Sequence, residues 1–486
     1  MTIAYNPYLP SYEYVPDGEP HVFGDRLYVF GSHDAFGADA YCVNNYVCYS
    51  APLDDLGAWK FEGYIFNKTD DPLNVDGAMN MNAPDVCQGP DGRYYLYYQL
   101  HRVTVTSVAV SDNPEGPYTF YGHVRHPNGI LYGKAPGDAY NFDPGMLVDD
   151  DGRIYMYTGF SPAAGMMRTM MSRMGVGLDG GTVVELEKDM LTIKGDPVPT
   201  IPGELFAAGT GFVGHGFYEA SSPRKIGGQY YLIYSSILSH ELCYAVSDSP
   251  MGAWHYGGTI ISIGDIGMPG VTETFAHNFT GNTHGGLVKV KGQWYVFYHR
   301  QTNQQMCARQ ACAEKITVLA DGSIPQVEVT SCGMNDGPLP ACGSYEARIA
   351  CNLWGKNGTF FYKQPHHSEP EYPYFTQTGT DREYSPDQYI ANMTDGSTAG
   401  FKYFAFDDCE TEFTVTVKGS AEGTLAVLLG IGEAPVARIP IHPVESWQPF
   451  QTVLPAVEGT KALYLRFDGV GSLDLKTLCF GASHES

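Results

Sequence analysis

The sequence lacks the features that mark a membrane protein or a nucleic-acid binder. It contains no run of about 18 apolar residues, and the N-terminal MTIAYNPYLPSYEY has neither a basic nor an apolar leader region. Basic residues are scarce: 29 Lys and Arg stand against 54 Asp and Glu, and the net charge of −25 disfavours nucleic acid and anionic membranes as partners. We therefore expect a soluble chain in the cytoplasm.

Paired cysteines are also lacking. The eleven cysteines are an odd number, and none belongs to a CxxC pair. Their spacing therefore indicates neither a zinc site nor a disulfide framework. We expect reduced and mostly buried thiols.

The composition favours strands and tight turns over long helices. The chain holds 35 Tyr, 57 Gly and 32 Pro in 486 residues. One hydrophobic core stops growing at roughly 250 to 300 residues. An all-β protein with at least two domains is predicted.

One pattern recurs five times in the first two thirds of the chain: a glycine-containing turn followed by alternating aromatic and aliphatic residues. The copies are FGDRLYVFGS, GPDGRYYLYYQ, DDDGRIYMYTG, IGGQYYLIYSS and VKGQWYVFYHR. Equivalent positions are Tyr28, Tyr95, Tyr155, Tyr231 and Tyr295, so neighbouring copies lie 60 to 76 residues apart. AVSDNPEGPYTFYG, AVSDSPMGAWHYGG and YSAPLDDLGAWKFEG follow three of them and look like outer strands. Five four-stranded units in residues 1–330 predict a five-bladed β-propeller.

A polar residue precedes each of these tyrosines by 10 to 12 positions: Asp17, Asp85, Asp143, Glu219 and His284. The innermost strand of each blade begins near the propeller axis, so side chains at these positions should converge there. Converging carboxylates suit glycoside hydrolysis, in which one acid protonates the leaving oxygen and one carboxylate activates water. For Asp85 alone we favour a structural role as a turn or cap residue.

Four segments also resemble the signature segments of glycoside hydrolase family 43, in that family's order: VPDGEPHVFGDRLYVFGSHD, NFDPGMLVDDDGRIYMYTGF, FYEASSPRKIGGQYYLIYSS and NTHGGLVKVKGQWYVFYHR. The resemblance implies a five-bladed propeller that hydrolyses α-L-arabinofuranosides or β-D-xylosides with inversion. By motif, Asp17 matches the general base, Glu219 the general acid, and Asp143 the carboxylate that orients the acid and raises its pKa.

The same resemblance implies further site residues. His284 matches an axial histidine that helps to hold a hydrated calcium or similar cation, and Arg300 matches an arginine of the substrate pocket. Asn82 stands where many members have a tryptophan, so a substrate-binding wall is altered here. Gly18 follows Asp17 where proline is usual, and the nearby Glu19 is an alternative base.

The rest of the chain predicts a second β domain. Cys307 to Thr330 reads as two strands that complete the last blade, and residues 331–380 read as an irregular connection. Residues 381–486 alternate like strands, as at Phe413, Val415 and Val417, and predict a β-sandwich. This region resembles carbohydrate-binding module family 6, and we favour a pocket-shaping role over independent polymer binding.

These observations predict an inverting, exo-acting glycosidase that removes terminal α-L-arabinofuranosyl units from imported, plant-derived oligosaccharides. A β-D-xylosidase with the same triad is the first alternative. A non-catalytic sugar-binding propeller is the alternative from another class. The retaining fructosidases are disfavoured because their Asn-Asp-Pro-Asn-Gly run is missing. The oligomeric state stays open.

Overall fold

The chain folds as a five-bladed β-propeller followed by a β-sandwich. The computed structural model describes residues 2–359, 372–382, 387–407 and 412–481. Each tyrosine of the repeat lies in the second strand of a separate sheet, which confirms the five predicted units. In the described ranges no helix is long and apolar enough to cross a membrane.

The first three blades are four-stranded antiparallel sheets. Blade 1 consists of β1 (Glu19–Phe23), β2 (Arg26–Phe30), β3 (Tyr46–Pro52) and β4 (Lys60–Phe66), with a 3-10 turn at Lys68–Asp70. Blade 2 consists of β5 (Asp85–Gln88), β6 (Tyr94–Gln99), β7 (Thr106–Ser111) and β8 (Thr119–His123). Blade 3 consists of β9 (Gly145–Val148), β10 (Ile154–Gly159), β11 (Gly180–Leu186) and β12 (Ile193–Pro202), with helix α1 (Met166–Ser172) between β10 and β11 and a 3-10 turn at Glu204–Phe206.

The last two blades differ in strand number. Blade 4 consists of β13 (Phe217–Ile226), β14 (Gln229–Ser236), β15 (Glu241–Ser247) and β16 (His255–Ser262). Blade 5 has three strands, β17 (Leu287–Val290), β18 (Gln293–Gln301) and β19 (Arg309–Ile316).

Alternation in the second strands explains how the blades stack. In β6, Tyr95 and Tyr97 pack into the cluster shared with blade 3, whereas Leu96 and Tyr98 pack into the cluster shared with blade 1. Successive side chains of a strand point to opposite faces. Aromatic and aliphatic residues therefore alternate because both faces of an inner strand are buried between blades.

The ring is closed by the N-terminal segment. Gly18 forms a parallel bridge with Gly285, which joins the inner edges of blades 1 and 5. The Tyr8 backbone N–H donates to the Ala311 carbonyl at 3.3 Å, so this segment runs beside the outer edge of β19. Of the two strands predicted between Cys307 and Thr330, only β19 is found. The segment that follows it leaves blade 5, and Val327 forms a parallel bridge to Ile261 of blade 4.

The C-terminal domain stacks two six-stranded sheets. Its strands are β20 (Leu339–Pro340), β21 (Gly343–Glu346), β22 (Asn352–Trp354), β23 (Tyr374–Thr378), β24 (Asp387–Met393), β25 (Thr398–Ala405), β26 (Glu412–Gly419), β27 (Glu422–Leu428), β28 (Ala437–Ile441), β29 (Val444–Val453), β30 (Thr460–Val470) and β31 (Leu473–Phe480), with a 3-10 turn at Ala347–Ile349. Phe413, Val415 and Val417 are all buried in the core between the sheets, as their alternation predicts.

The segment 331–380 differs from the predicted irregular connection. Strands β20 and β22 pair with β25, β21 pairs with β31, and β23 pairs with β24. These strands are two to five residues long, too short for a pattern of alternation to identify them. The sandwich therefore begins well before residue 381.

A buried ion pair ties the two domains together. Lys402 Nζ of β25 lies 2.9 Å from Asp265 Oδ2 and 2.8 Å from Glu328 Oε2. Asn352 Nδ2 also donates to Asp265 Oδ2, at 2.8 Å. Because Asp265 belongs to the propeller and is 2 % exposed, the sandwich supplies the cation that neutralises it.

Replacing Lys402 should strongly destabilise the protein, because it leaves the Asp265 carboxylate buried and uncompensated. For Lys402→Ala we expect a loss of about 3 to 5 kcal/mol in the free energy of unfolding, measured by urea denaturation. The matched control is Lys356→Ala, whose exposed pair with Asp395 spans 2.7 Å and should contribute far less because solvent screens it. Equal losses in both variants would contradict this assignment.

Candidate functional site

The five polar residues in register all lie at the start of an inner strand. Asp17 and Asp143 precede β1 and β9, Asp85 begins β5, Glu219 is the third residue of β13, and His284 precedes β17. All five are buried. The contacts of these five residues between blades are described next.

Asp17 is held by donors from two blades. Ser32 Oγ, just after β2, donates to Asp17 Oδ2 at 2.6 Å, and Arg309 Nη1 of β19 donates to Asp17 Oδ1 at 2.8 Å. Burial raises the pKa of Asp17, but Arg309, two nearby histidines and Ser32 together lower it below its ordinary value. Asp17 is therefore an ionised carboxylate at neutral pH.

Arg309 links Asp17 to a second buried carboxylate. Its Nε and Nη2 donate to the two Asp34 oxygens at 2.8 and 3.0 Å, a bidentate pair. The guanidinium also lies over the Tyr41 ring, 4.8 Å from the centroid. Arg309 is 2 % exposed, so two carboxylates share one desolvated cation.

Our reading of the sequence missed Arg309, Asp34 and Ser32. A signal was present, since Ser32 and Asp34 lie in the segment FGSHD directly after a strand, and Arg309 is a charged residue that opens the strand RQACAEKI, four of whose eight residues are apolar. A charge at such a position must find a partner when it is buried. The identity of that partner depends on the closure of the ring.

Glu219 and Asp143 form a coupled pair of carboxyls. Burial and the charge of Asp17 raise the pKa of Glu219 to about 8. Burial and the charges of Glu219 and Asp17 raise the pKa of Asp143 well above its ordinary value. The Ala220 N–H hydrogen bonds to Asp143, which fixes this carboxyl beside the backbone of Glu219. The pair thus keeps a proton at neutral pH, and the expected role of Asp143 in raising the pKa of Glu219 stays a prediction.

Three residues of this site have left-handed backbone. The φ angles are 58° at Asp17, 47° at Asp143 and 70° at Ala220. Non-glycine residues rarely adopt positive φ, and such residues cluster where a fold directs side chains for function. The turns into β1 and β9 are bent in this way to point both aspartates toward the axis.

Glu19, the alternative base, is engaged elsewhere. Its Oε2 accepts hydrogen bonds from Arg224 Nη2 at 2.8 Å and from Ser222 Oγ at 3.0 Å, both in β13. A Cβ atom at Gly286 would lie within 2.8 Å of all three side chains, so a larger residue there would displace this buried ion pair. Burial raises the pKa of Glu19 above its ordinary value, whereas the pKa of Asp17 is lowered. Glu19 therefore fits a link between blades 1 and 4.

His284 and Asp85 lie on the axis beside this link. His284 Nδ1 is 3.5 Å from Asp143 Oδ2, and its Nε2 is 3.8 Å from Glu19 Oε1. Burial lowers the pKa of His284 to about 4, so the ring is neutral. Asp85 accepts from the Met146 N–H at 2.7 Å and lies 2.6 Å from His21 Nε2. Asp85 thus joins three blades, in keeping with a structural role.

These axial residues fit a hydrated cation better than a fully coordinated one. Donor atoms of Glu19, His21 and Asp85 lie within 4.8 Å of one another, and Glu19 Oε1 is buried without a hydrogen-bond partner in the described residues. Calcium takes six to eight oxygen ligands, whereas both Asp85 oxygens already accept hydrogen bonds. An ion here would keep most of its water.

Arg300 points away from the three carboxyls. Its guanidinium donates to the carbonyls of Ala350 and Arg348 at 2.8 Å and lies over the Phe375 ring, in a cavity between the domains. The adjacent His299 instead places Nδ1 3.3 Å from Asp17. Neighbouring residues of a strand face opposite sides, so only one of this pair can reach the axis. A substrate contact by Arg300 stays a prediction.

Asn82 lies buried between blades 1 and 2. Its Nδ2 donates to Gln99 Oε1 at 3.2 Å, and its carbonyl accepts from the Tyr46 hydroxyl. Its side-chain amide is thus held by the protein itself. The role of Asn82 in substrate binding stays a prediction.

The sandwich domain reaches the loop that carries Asp34. Asp381 accepts hydrogen bonds from the Phe36 N–H at 2.9 Å and from Asn44 Nδ2 at 3.3 Å. Arg382 Nη1 contacts Glu13 and lies 3.1 Å from His33 Nε2. The loop 31–45 is therefore clamped between Arg309 on the inside and the sandwich domain on the outside.

Comparison with known proteins identifies relatives of this chain. A curated protein from Thermoclostridium stercorarium described as "Xylosidase/arabinosidase" is 46% identical over 481 residues, which covers 98% of both chains. A protein of the same description from Bacteroides ovatus is 29% identical over 317 residues, 60% of this chain and 87% of that one.

A solved structure shares the order of the two domains. The glycoside hydrolase family 43 arabinoxylan arabinofuranohydrolase from Bacillus subtilis, in complex with cellotetraose, aligns over 99% of both chains with a TM-score of 0.51. At 19% identity this likeness concerns the fold alone. The sequence profile of Glycosyl hydrolases family 43 matches residues 14–324, which is more than half of the chain. The chain therefore belongs to glycoside hydrolase family 43.

Proposed function

We propose that this glycoside hydrolase removes terminal α-L-arabinofuranosyl units from plant-derived oligosaccharides with inversion. The observation that carries the proposal is the contrast between two buried carboxyls in one site. Asp17 accepts hydrogen bonds from Arg309 and Ser32 and, despite its burial, has a lowered pKa, whereas burial and the charge of Asp17 raise the pKa of Glu219 to about 8. Such a pair can supply a base and an acid at neutral pH.

In the proposed mechanism Asp17 removes a proton from the attacking water. Arg309 keeps Asp17 ionised before the reaction, and Ser32 fixes the orientation of the carboxylate. Water attacks the anomeric carbon from the side opposite to the leaving group, which inverts the configuration. The proton accepted by Asp17 then passes to solvent.

Glu219 acts as the proposed acid and gives its proton to the leaving oxygen. Burial disfavours the ionised form, so the proton is retained until negative charge develops on that oxygen. Asp143, fixed by the Ala220 N–H, is the positioning residue. Because the two carboxyls repel each other when both are ionised, Asp143 helps to return a proton to Glu219 after turnover.

The identity of the terminal sugar is also part of the proposal. The relatives from T. stercorarium and B. ovatus are both described as xylosidase and arabinosidase, which supports a terminal pentose. A β-D-xylosidase remains the second candidate, since the same three carboxyls serve either sugar. The axial cation, held through water by His284, stays a prediction, as does the cytoplasmic location.

We propose that the sandwich domain shapes the pocket rather than binding polymer by itself. Support comes from Asp381, which holds the loop carrying Asp34, and from Arg382, which holds its start. The likeness of this domain to carbohydrate-binding module family 6 stays a prediction.

Release of monosaccharide from a panel of pentosides tests the reaction and the sugar. We expect Asp17→Asn to lose at least about 100-fold in kcat/KM on every substrate. Glu219→Gln should lose as much on natural oligosaccharides but less on aryl arabinofuranosides, because a phenolate leaves with little help from an acid. Proton NMR of the first product should show the inverted anomer.

The control for this panel is Glu19→Gln. If this variant loses activity on all substrates while Asp17→Asn retains it, the base is Glu19. If no pentoside is cleaved and glycans are retained unchanged, the protein binds sugars without hydrolysing them.

The pH profile of kcat/KM should report the pKa values of both Asp17 and Glu219. Glu219 donates only when protonated, so the rate should fall as the pH rises through about 8. Asp17 accepts only when ionised, and its lowered pKa should keep the acidic limb below the range of an ordinary aspartate. Arg309→Met should move the acidic limb to higher pH because Asp17 loses its cation.

Arg300→Met is the matched control for that shift. It removes a partly buried guanidinium that donates to backbone carbonyls and not to Asp17, so the acidic limb should stay in place even if KM changes. An acidic limb that moves equally in both variants would show that Arg309 does not control Asp17.

The clamp from the sandwich domain is tested with Asp381→Ala. Loss of the two hydrogen bonds should loosen the loop 31–45 and lower kcat/KM by about tenfold, since small displacements of catalytic groups are costly. The control is Asp387→Ala, which removes an exposed pair with Lys476 in the same domain and should leave kcat/KM unchanged. Unchanged kcat/KM in Asp381→Ala would refute the clamp.

A further inference from the structure

A second cluster of metal-ligating side chains lies in blade 4, away from the axis. It comprises His215, in the loop before β13, and Glu241 and Cys243, in β15. His215 Nδ1 lies 2.7 Å from Glu241 Oε1, Cys243 Sγ lies 3.3 Å from the same oxygen, and Cys243 Sγ lies 4.0 Å from His215 Nδ1. None of these residues belongs to the axial group.

The three donor atoms already have the spacing of a coordination shell. A triangle with these sides has its centre about 2 Å from each corner, close to zinc–nitrogen, zinc–oxygen and zinc–sulfur distances of about 2.0 to 2.3 Å. A small displacement within the plane, away from Cys243, lengthens the distance to sulfur, and a displacement out of the plane leaves room for a water as fourth ligand. A metal can therefore enter without rearrangement of the backbone.

The surroundings of the cluster orient its ligands. Ser236 Oγ donates to Glu241 Oε1 at 2.6 Å, and Thr259 Oγ1 donates to Glu241 Oε2 at 2.9 Å. The His215 ring stacks on Tyr256, with centroids 4.9 Å apart. Ligands held by hydrogen bonds and stacking in this way are typical of metal sites in proteins.

Because most of the cluster is buried, a metal ion can enter it from one side only. Glu241 and Cys243 are buried, whereas the His215 side chain is 34% exposed and provides the path from solvent. A thiolate, an imidazole and a carboxylate together select zinc or a similar transition metal over calcium or magnesium.

We propose that His215, Glu241 and Cys243 form a zinc-class metal site, with water as the fourth ligand. The bound ion replaces the proton on Cys243 and the proton shared by His215 and Glu241, and both protons pass to solvent. The site fastens the loop before β13 to β15. Because Glu219 follows His215 by four residues on the same segment, the ion stiffens the strand that carries this carboxyl. The proposal does not depend on the sugar or on the proposed catalytic roles.

Metal titration of the full chain tests the proposal. After dialysis against a chelator, Zn²⁺ is titrated calorimetrically into wild type, His215→Phe and Cys243→Ala. His215→Phe keeps a ring on Tyr256 but removes the nitrogen ligand. We expect both variants to bind one equivalent of zinc fewer than wild type, or to bind it at least about tenfold more weakly.

The matched control is Cys48→Ala. Cys48 is a fully buried cysteine in the third strand of blade 1, as Cys243 is in blade 4, and no histidine lies among its hydrogen-bond partners. This variant should bind zinc like wild type. Co²⁺ provides a spectroscopic readout, since a thiolate ligand adds a sulfur-to-cobalt charge-transfer band that Cys243→Ala should abolish.

Ligation at this site requires the Cys243 thiolate, so zinc binding must release the thiol proton and strengthen as the pH rises. Zinc uptake that is equal in wild type and both variants, or a wild-type cobalt complex without the sulfur band, would overturn the proposal. Circular dichroism of each variant verifies its fold. If Cys243→Ala is unfolded, the zinc titration of His215→Phe alone decides whether the site exists.

Discussion

The carboxyl site depends on one buried cation, the Arg309 guanidinium. It donates to Asp17 and, through two parallel bonds, to Asp34. Without this cation the burial of Asp17 would favour its protonated form, because desolvation raises the pKa of a carboxyl. The charge that Arg309 maintains on Asp17 in turn helps to keep Glu219 protonated. One guanidinium therefore sets the opposite states of two carboxyls in the same site.

The propeller makes such a concentration of charge possible. Each inner strand begins at the axis, and glycines such as Gly286 let neighbouring inner strands approach closely. The blades themselves are held by alternating aromatic and aliphatic side chains that bury both faces of the second strands. Apolar packing between blades thus carries the stability, while the strand ends are free to hold polar groups. The left-handed turns at Asp17 and Asp143 illustrate the backbone conformations that this scaffold supports.

The sandwich domain is joined to this site rather than appended to it. Lys402 neutralises Asp265 of the propeller, and Asp381 caps the loop whose inner end carries Asp34. The chain of contacts from Asp381 through the loop to Asp34, Arg309 and Asp17 connects the C-terminal domain to the proposed base. Blade 5, with three strands and the N-terminal segment beside it, lies between these contacts.

The sequence by itself determined the five blades and the register of the polar residues, because strand alternation and turn glycines are local properties that repeat. It also indicated Asp17, Asp143 and Glu219, since their offsets from the repeated tyrosines are nearly constant. Only the tertiary structure decided which arginine reaches the axis, because His299 and Arg300 are adjacent in a strand and must face opposite sides. Likewise, the partners of Arg309 and Glu19 and those of the short strands β20, β21 and β22 lie far away in the chain. Their positions follow from ring closure and domain packing, which no local pattern encodes.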